Sequence, residues 1–161
     1  MSIKQSIQQF LYREAELIDE KRWDEWLELF DENVEYWVPA WDGDHELTDD
    51  PRSQMSLMFY DARSGLEDRV FRLKTGKSAA STPMPRTCHL VTNIRYAAEG
   101  ENGYRVKANW TAHSFRKREL NTFCGTYEYV LRTNGDSFKI EKKKIVVVND
   151  LIPRVLDIYS I

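Results

Sequence analysis

Residues 104–116 read YRVKANWTAHSFR, and the alternation in this stretch decides the fold. Tyr104, Val106, Ala108, Trp110 and Ala112 fall on one face of an extended chain, while Arg105, Lys107, Asn109 and Thr111 fall on the other. That is the period-2 pattern of a half-buried strand. Runs of the same kind occupy 87–97, 122–132 and 137–148. Their separators include Glu99-Gly100-Glu101-Asn102-Gly103 and Asn134-Gly135, both hairpin signals. Long strands joined by short connections predict an antiparallel meander for the second half of the chain.

Working back towards the N-terminus, the period changes. Ser2 and Gln5 form a capping-box signature, and behind it Ile3, Ile7, Phe10, Leu11, Ala15 and Ile18 recur at helical spacing. After Lys21-Arg22, a second short stripe runs through Trp23, Trp26, Leu27 and Phe30, and Asp31-Glu32-Asn33 is expected to end it. Val34 to Val38 reads as a strand stopped by Pro39, 40–52 as an acidic loop, and 55–60 as a short strand. Ser64 and Glu67 offer another capping box for a helix with Leu66, Val70 and Leu73 inside and Gly76 at its end. Helices followed by a long sheet give a single α+β domain over 1–161. The sheet is expected to bury one face by curving around the N-terminal helices into a half-open cone. That arrangement resembles the fold shared by ketosteroid isomerase, scytalone dehydratase and nuclear transport factor two.

Composition excludes several classes. With 42% hydrophobic and 30% charged residues the chain reads as a globular protein. A net charge of −3 argues against a general nucleic-acid binder. No apolar run is long enough for a bilayer, and MSIKQSIQQF has no signal-peptide core, so a cytoplasmic protein with Cys88 and Cys124 as free thiols is expected. Five Trp, eight Tyr and seven Phe hint at surface spent on partners.

A cone often carries a pocket, and an acid–base site in it would use a buried carboxylate, His or Tyr. Tyr12, Asp31, His89 and His113 are the candidates. His113 is in phase with Asn109 and Thr111 on the polar face, which favours a surface or interface role, and His89 reads as a hydrogen-bonded structural residue. Asp42, Asp44, His45, Glu46, Asp49 and Asp50 crowd one loop, but Gly43 falls where an EF-hand would not have it. A Rieske centre needs two Cys and two His in paired spacing, and a facial triad needs two His and a carboxylate. Neither pattern occurs, and Cys88-His89, adjacent in a strand, point to opposite faces. There is no Gly-rich phosphate loop and no GxSxG turn.

Six collinear stretches carry a more specific signal: FLYREAELIDEKRWDEWLELF at 10–30, EYWVPAWD at 35–42, LTDDPR at 47–52, RSGLEDRVFRLKT at 63–75, PRTCHLVTNI at 85–94 and KKKIVVVNDLIPRVLDIYSI at 142–161. Together they make the chain similar to the small (beta) subunits of aromatic-ring-hydroxylating dioxygenases, in the benzoate and anthranilate branch. The resemblance implies a cone-like α+β fold and no catalytic, cofactor-binding or metal residue in this chain. It further implies a large (alpha) subunit carrying a 2Fe–2S Rieske cluster and mononuclear Fe(II), and a separate reductase passing electrons from NADH. The expected assembly has three large and three small subunits with a small-subunit trimer contact, and dihydroxylates an aromatic acid with O2. Arg63, Arg69 and Arg72, interleaved with Glu67 and Asp68, are expected to serve that contact together with the sheet. The competing reading is a stand-alone cone-fold dehydratase or isomerase, or a small-molecule binder, using Asp31, His89 or His113.

Overall fold

The computed structural model describes residues 1–153 and 155–161. Helix α1 (Ile3–Asp19) starts as its sequence dictates. The Gln5 amide donates to Ser2 Oγ at 3.3 Å, and the Ser2 amide donates to Gln5 Oε1 at 2.9 Å. A short α2 (Trp23–Leu27) follows. Strand β1 (Phe30–Pro39) begins four residues earlier than expected, because Asp31-Glu32-Asn33 is extended rather than helix-ending. Then come β2 (Ser56–Tyr60), α3 (Arg63–Lys74), a single 3-10 turn at Ala79–Ser81, and the four long strands β3 (Arg86–Glu99), β4 (Gly103–Arg116), β5 (Glu119–Asn134) and β6 (Ser137–Val147). The Ser64 capping box does not form. Helix α3 starts two residues sooner, after Ala62, and Glu67 takes the Arg63 guanidinium at 3.0 Å instead.

The strand order is β2-β1-β6-β5-β4-β3. Every neighbour pair is antiparallel except β1 with β6, which is parallel, so the sheet is mixed rather than wholly antiparallel. No hairpin ties β1 to β6, and the intervening chain leaves their relative direction free. Helices cover one face. The alternation of β4 comes out as written, with Val106, Ala108, Trp110 and Ala112 buried beneath them. Gly125 lets β6 approach closely, since a Cβ there would lie 1.8 Å from the Val146 carbonyl oxygen. Trp26, Phe30 and Tyr36 meet edge to face, and Trp110 stacks on Tyr127 at 5.3 Å. Much of the aromatic excess fills the core: Trp23, Trp26 and Trp110 are buried in it.

Candidate functional site

In a cone fold the place to look for a site is the space between the inner sheet face and the helices. Here it is filled from within. Glu14 lies in the apolar stripe of α1, one turn from Leu11 and Leu17. Lys143 lies in β6 between Ile140 and Ile145. Both are almost wholly enclosed, and their charges meet at 2.8 Å. Tyr129 donates its hydroxyl to the other Glu14 oxygen at 2.6 Å, and the Lys143 ammonium sits 4.3 Å from the centre of the Tyr127 ring. Burial lowers the Lys143 pKa, and the Glu14 carboxylate beside it offsets part of that. Burial, then the Glu14 charge, pushes the hydroxyls of Tyr36, Tyr127 and Tyr129 well up. A carboxylate and an amine at hydrogen-bond distance are competent acid–base chemistry only where a substrate can reach them. This pair is sealed under aromatic rings, and what it does is pin α1 to the sheet.

The four residues singled out as catalytic candidates are not brought together. His89 faces the helices and His113 faces away from them, because they sit on adjacent strands one register step out of phase: Cys88, not His89, is opposite His113. His113 Nδ1 meets Thr122 Oγ1 at 2.9 Å on the outer face. Asp31 is paired with Arg132 at the surface. Tyr12 is 44% exposed on α1. The His89 ring is enclosed, with Nδ1 2.6 Å from Asp19 Oδ1 and Nε2 3.2 Å from the Ile161 carbonyl oxygen. Asp19 also accepts the His89 amide and the Thr87 hydroxyl, each at 2.8 Å. Burial raises the Asp19 pKa, but the bonds and charge of His89, with Thr87, outweigh it and hold the carboxyl below its ordinary value.

The chain end supplies residues that the sequence reading missed. Asp157, Ile158, Tyr159 and Ile161 are buried. Asp157 accepts the Ile158 amide at 2.8 Å and is gripped by both arms of Arg69, whose Nε donates at 2.9 Å. Tyr159 bonds Ser81 at 3.0 Å. Arg69 therefore ties α3 to the chain end. Arg63 likewise turns to Glu67 and to the Phe30 carbonyl, and of the three arginines only Arg72 is left exposed without such a bond.

No group of three or more His, Cys, Asp or Glu converges as a metal site would need among the described residues. The ligand types of an iron–sulfur centre are present but dispersed. Cys88 and His113 are cross-strand neighbours on the outer face, Cys124 is opposite Thr111, and His89 is on the inner face. They do not fit a Rieske cluster. The crowded acidic loop forms a small hairpin bridged between Trp41 and Leu47, with Asp42, Asp44, His45 and Glu46 pointing into solvent. Among the described residues no helix is long and apolar enough to cross a membrane.

The sequence matches the ring hydroxylating beta subunit family over residues 13–154. The chain belongs to that family. It is 43% identical to the 2-halobenzoate 1,2-dioxygenase small subunit of Burkholderia cepacia, over 94% of this chain and 92% of that one. It is 42% identical to the anthranilate 1,2-dioxygenase small subunit of Acinetobacter baylyi, over 97% and 96%. The solved beta subunit of the benzoate 1,2-dioxygenase from Burkholderia mallei superposes with a TM-score of 0.81 at 37% identity, covering 96% of this chain and 95% of that one. A putative scytalone dehydratase from Novosphingobium aromaticivorans shares the cone alone, at TM-score 0.69 and 13% identity over 94% and 89%. This ring-hydroxylating beta subunit is thus a component of an aromatic-ring dioxygenase, an oxidoreductase, and Glu14 and Lys143 occupy the interior of its cone.

Proposed function

We propose that this chain is a single-domain, non-catalytic small subunit that builds and supports a dioxygenase acting on an aromatic carboxylic acid of the benzoate or anthranilate type. In this reading the large subunit holds the Rieske cluster and the mononuclear Fe(II), a separate reductase delivers electrons from NADH, and three large and three small subunits assemble in the cytoplasm. This chain contributes no catalytic, cofactor-binding or metal-binding residue. The observation that carries the reading is the filled cone: the one place where this fold would bind a substrate is closed by a buried ion pair and three tyrosines. The near full-length likeness to small subunits of benzoate-type dioxygenases supports the substrate class.

The test is co-expression with the large subunit of the same enzyme, followed by oxygen uptake with benzoate, 2-halobenzoate and anthranilate in the presence of reductase and NADH. The complex is expected to turn over at least one of these acids, and the chain alone none. Turnover of any of them by the purified chain alone, or failure of the two chains to copurify, overturns the proposal.

A further inference from the structure

A second polar cluster lies apart from the Glu14–Lys143 pair, where α1, β3 and the chain end meet. Asp19 is the last residue of α1, His89 is on the inner face of β3, and Ile161 ends the buried segment 157–161. The His89 side chain is 1% exposed and has an oxygen against each ring nitrogen. Asp19 Oδ1 is 2.6 Å from Nδ1, and the Ile161 main-chain oxygen is 3.2 Å from Nε2. Turning the ring over would press a carbon against the carboxylate in place of Nδ1, so the contacts themselves fix which atoms are nitrogen.

Neither oxygen has a hydrogen to give. Asp19 already accepts the Thr87 hydroxyl on Oδ1 and the His89 amide on Oδ2, each at 2.8 Å, which is the pattern of an ionised carboxylate. The Ile161 oxygen is an acceptor whether it is a carbonyl or a carboxylate. Both bonds therefore need a hydrogen on the ring side, and only the imidazolium carries one on each nitrogen. The other charged groups nearby are already engaged. On the sheet side, the row through His89 continues with Ala112 and Phe123, which do not titrate. On the α1 side Tyr12, Glu16 and Glu20 line the adjoining cleft, with Glu16 paired to Arg13 and Glu20 to Arg22. Lys21, in the turn after α1, is near enough to Asp19 to feel its charge. Within 157–161, Asp157 is held by Arg69 and Tyr159 by Ser81.

We infer that His89 is a proton-operated latch: protonated on both ring nitrogens it ties Ile161 to the end of α1, and on losing one proton it lets Ile161 go. The proton lost is the one on Nε2. The Nδ1 bond is the shorter and runs to a full negative charge within the same cluster, so the remaining hydrogen stays there. Nε2 then turns a lone pair towards the Ile161 oxygen, and two acceptors face each other at a buried site. Release is confined to the residues after Tyr159, because the Arg69–Asp157 and Ser81–Tyr159 bonds do not involve the ring. The latch is therefore closed on the acid side of the ring's titration and opens as pH rises. Burial raises the Asp19 pKa, but the His89 bonds and charge outweigh it, so Asp19 stays ionised over the range of about pH 5 to 8 in which histidines change charge.

NMR on the full nitrogen-labelled chain tests this, with pH raised from about 5 until the His89 ring has titrated. The ring spectrum should show a hydrogen on both nitrogens at the acid end and on Nδ1 alone at the basic end. The Ser160 amide donates to the Asp157 carbonyl at 2.8 Å, next to Ile161. Over the same step its protection against exchange, corrected for the intrinsic rate, should fall roughly tenfold, the worth of one charge-assisted hydrogen bond. The His89 amide, bonded to Asp19, should keep its protection. Asp19→Asn removes the charge that favours the imidazolium and should move the step to lower pH. His89→Gln offers an amide donor that does not titrate and should abolish the step at Ser160. A hydrogen on only one ring nitrogen at the acid end overturns the inference. So does a ring that keeps both hydrogens until the whole chain unfolds, a Ser160 protection that stays level while the ring titrates, or a step that Asp19→Asn leaves in place. The wild-type readouts decide the matter if neither variant folds.

Discussion

The two faces of one sheet handle charge in opposite ways. On the inner face a single Lys–Glu pair is enclosed among tyrosines, with every neighbour supplied by the chain itself. On the outer face, charges crowd one half and vanish from the other. The same ladder that would carry a binding pocket inward is thereby closed on its inner side and left open to solvent on its outer one. Substitutions on the inner face should therefore cost stability, and those on the outer face little of it.

The largest effect is expected at the buried pair. Lys143→Met or Glu14→Leu alone strands one charge in the core and should cost about 3–5 kcal/mol in urea unfolding, while the double variant should recover most of that. A double variant no better than either single would break the account of the pair as a self-contained filler. Next comes the clamp on the chain end. Arg69→Ala leaves the buried Asp157 without its partner, which should cost roughly 2–3 kcal/mol and speed amide exchange in 155–161. An effect on oligomer size with no effect on exchange would break the account of Arg69 as a clamp on the chain end.

Acid should expose the Asp19 contribution. Its folded pKa lies below the ordinary 3.8, so the stability it gives is fully present above that value and is lost as pH falls through the lower folded one. Asp19→Asn should therefore be less stable than wild type near neutrality and show a shallower loss of stability below pH 3.8. Parallel acid limbs would remove Asp19 from the account. At the outer hairpin, Lys117 and Arg118 both have positive φ in a two-residue turn. Arg118→Gly should stabilise by up to about 1 kcal/mol in thermal unfolding. Smallest of all, Thr111→Arg on the outer face should shift stability by no more than about 0.5 kcal/mol in urea unfolding, which sharpens the contrast between faces.

Much of this architecture was legible in residue order. The alternation from Tyr104 to Ala112 and the Ser2–Gln5 cap behave as written, because each depends only on neighbours a few positions away. The candidate site was less legible. Glu14 could have been flagged, since it sits in phase with Leu11, Leu17 and Ile18 in an otherwise apolar stripe. Lys143 gave no such signal. A bulge at Glu141, where Leu131 pairs Ile140 but Val130 pairs Lys142, reverses the phase of β6 and turns the middle lysine of Lys142-Lys143-Lys144 inward. Arg69 and Asp157 are 88 residues apart, and the parallel β1–β6 pairing spans a similar gap, so neither leaves a local trace. The charge alternation in α3 likewise does not say which arginine has a carboxylate waiting at the far end of the chain.

The central claim is that the cone interior serves folding and that the chain acts through assembly. The most direct test is oxygen uptake by the large subunit reconstituted with the Glu14→Leu/Lys143→Met double variant, its assembly checked by sedimentation. The account predicts a complex of unchanged size with wild-type turnover of the aromatic acid. An intact complex whose turnover had collapsed would place chemistry inside the cone and contradict it.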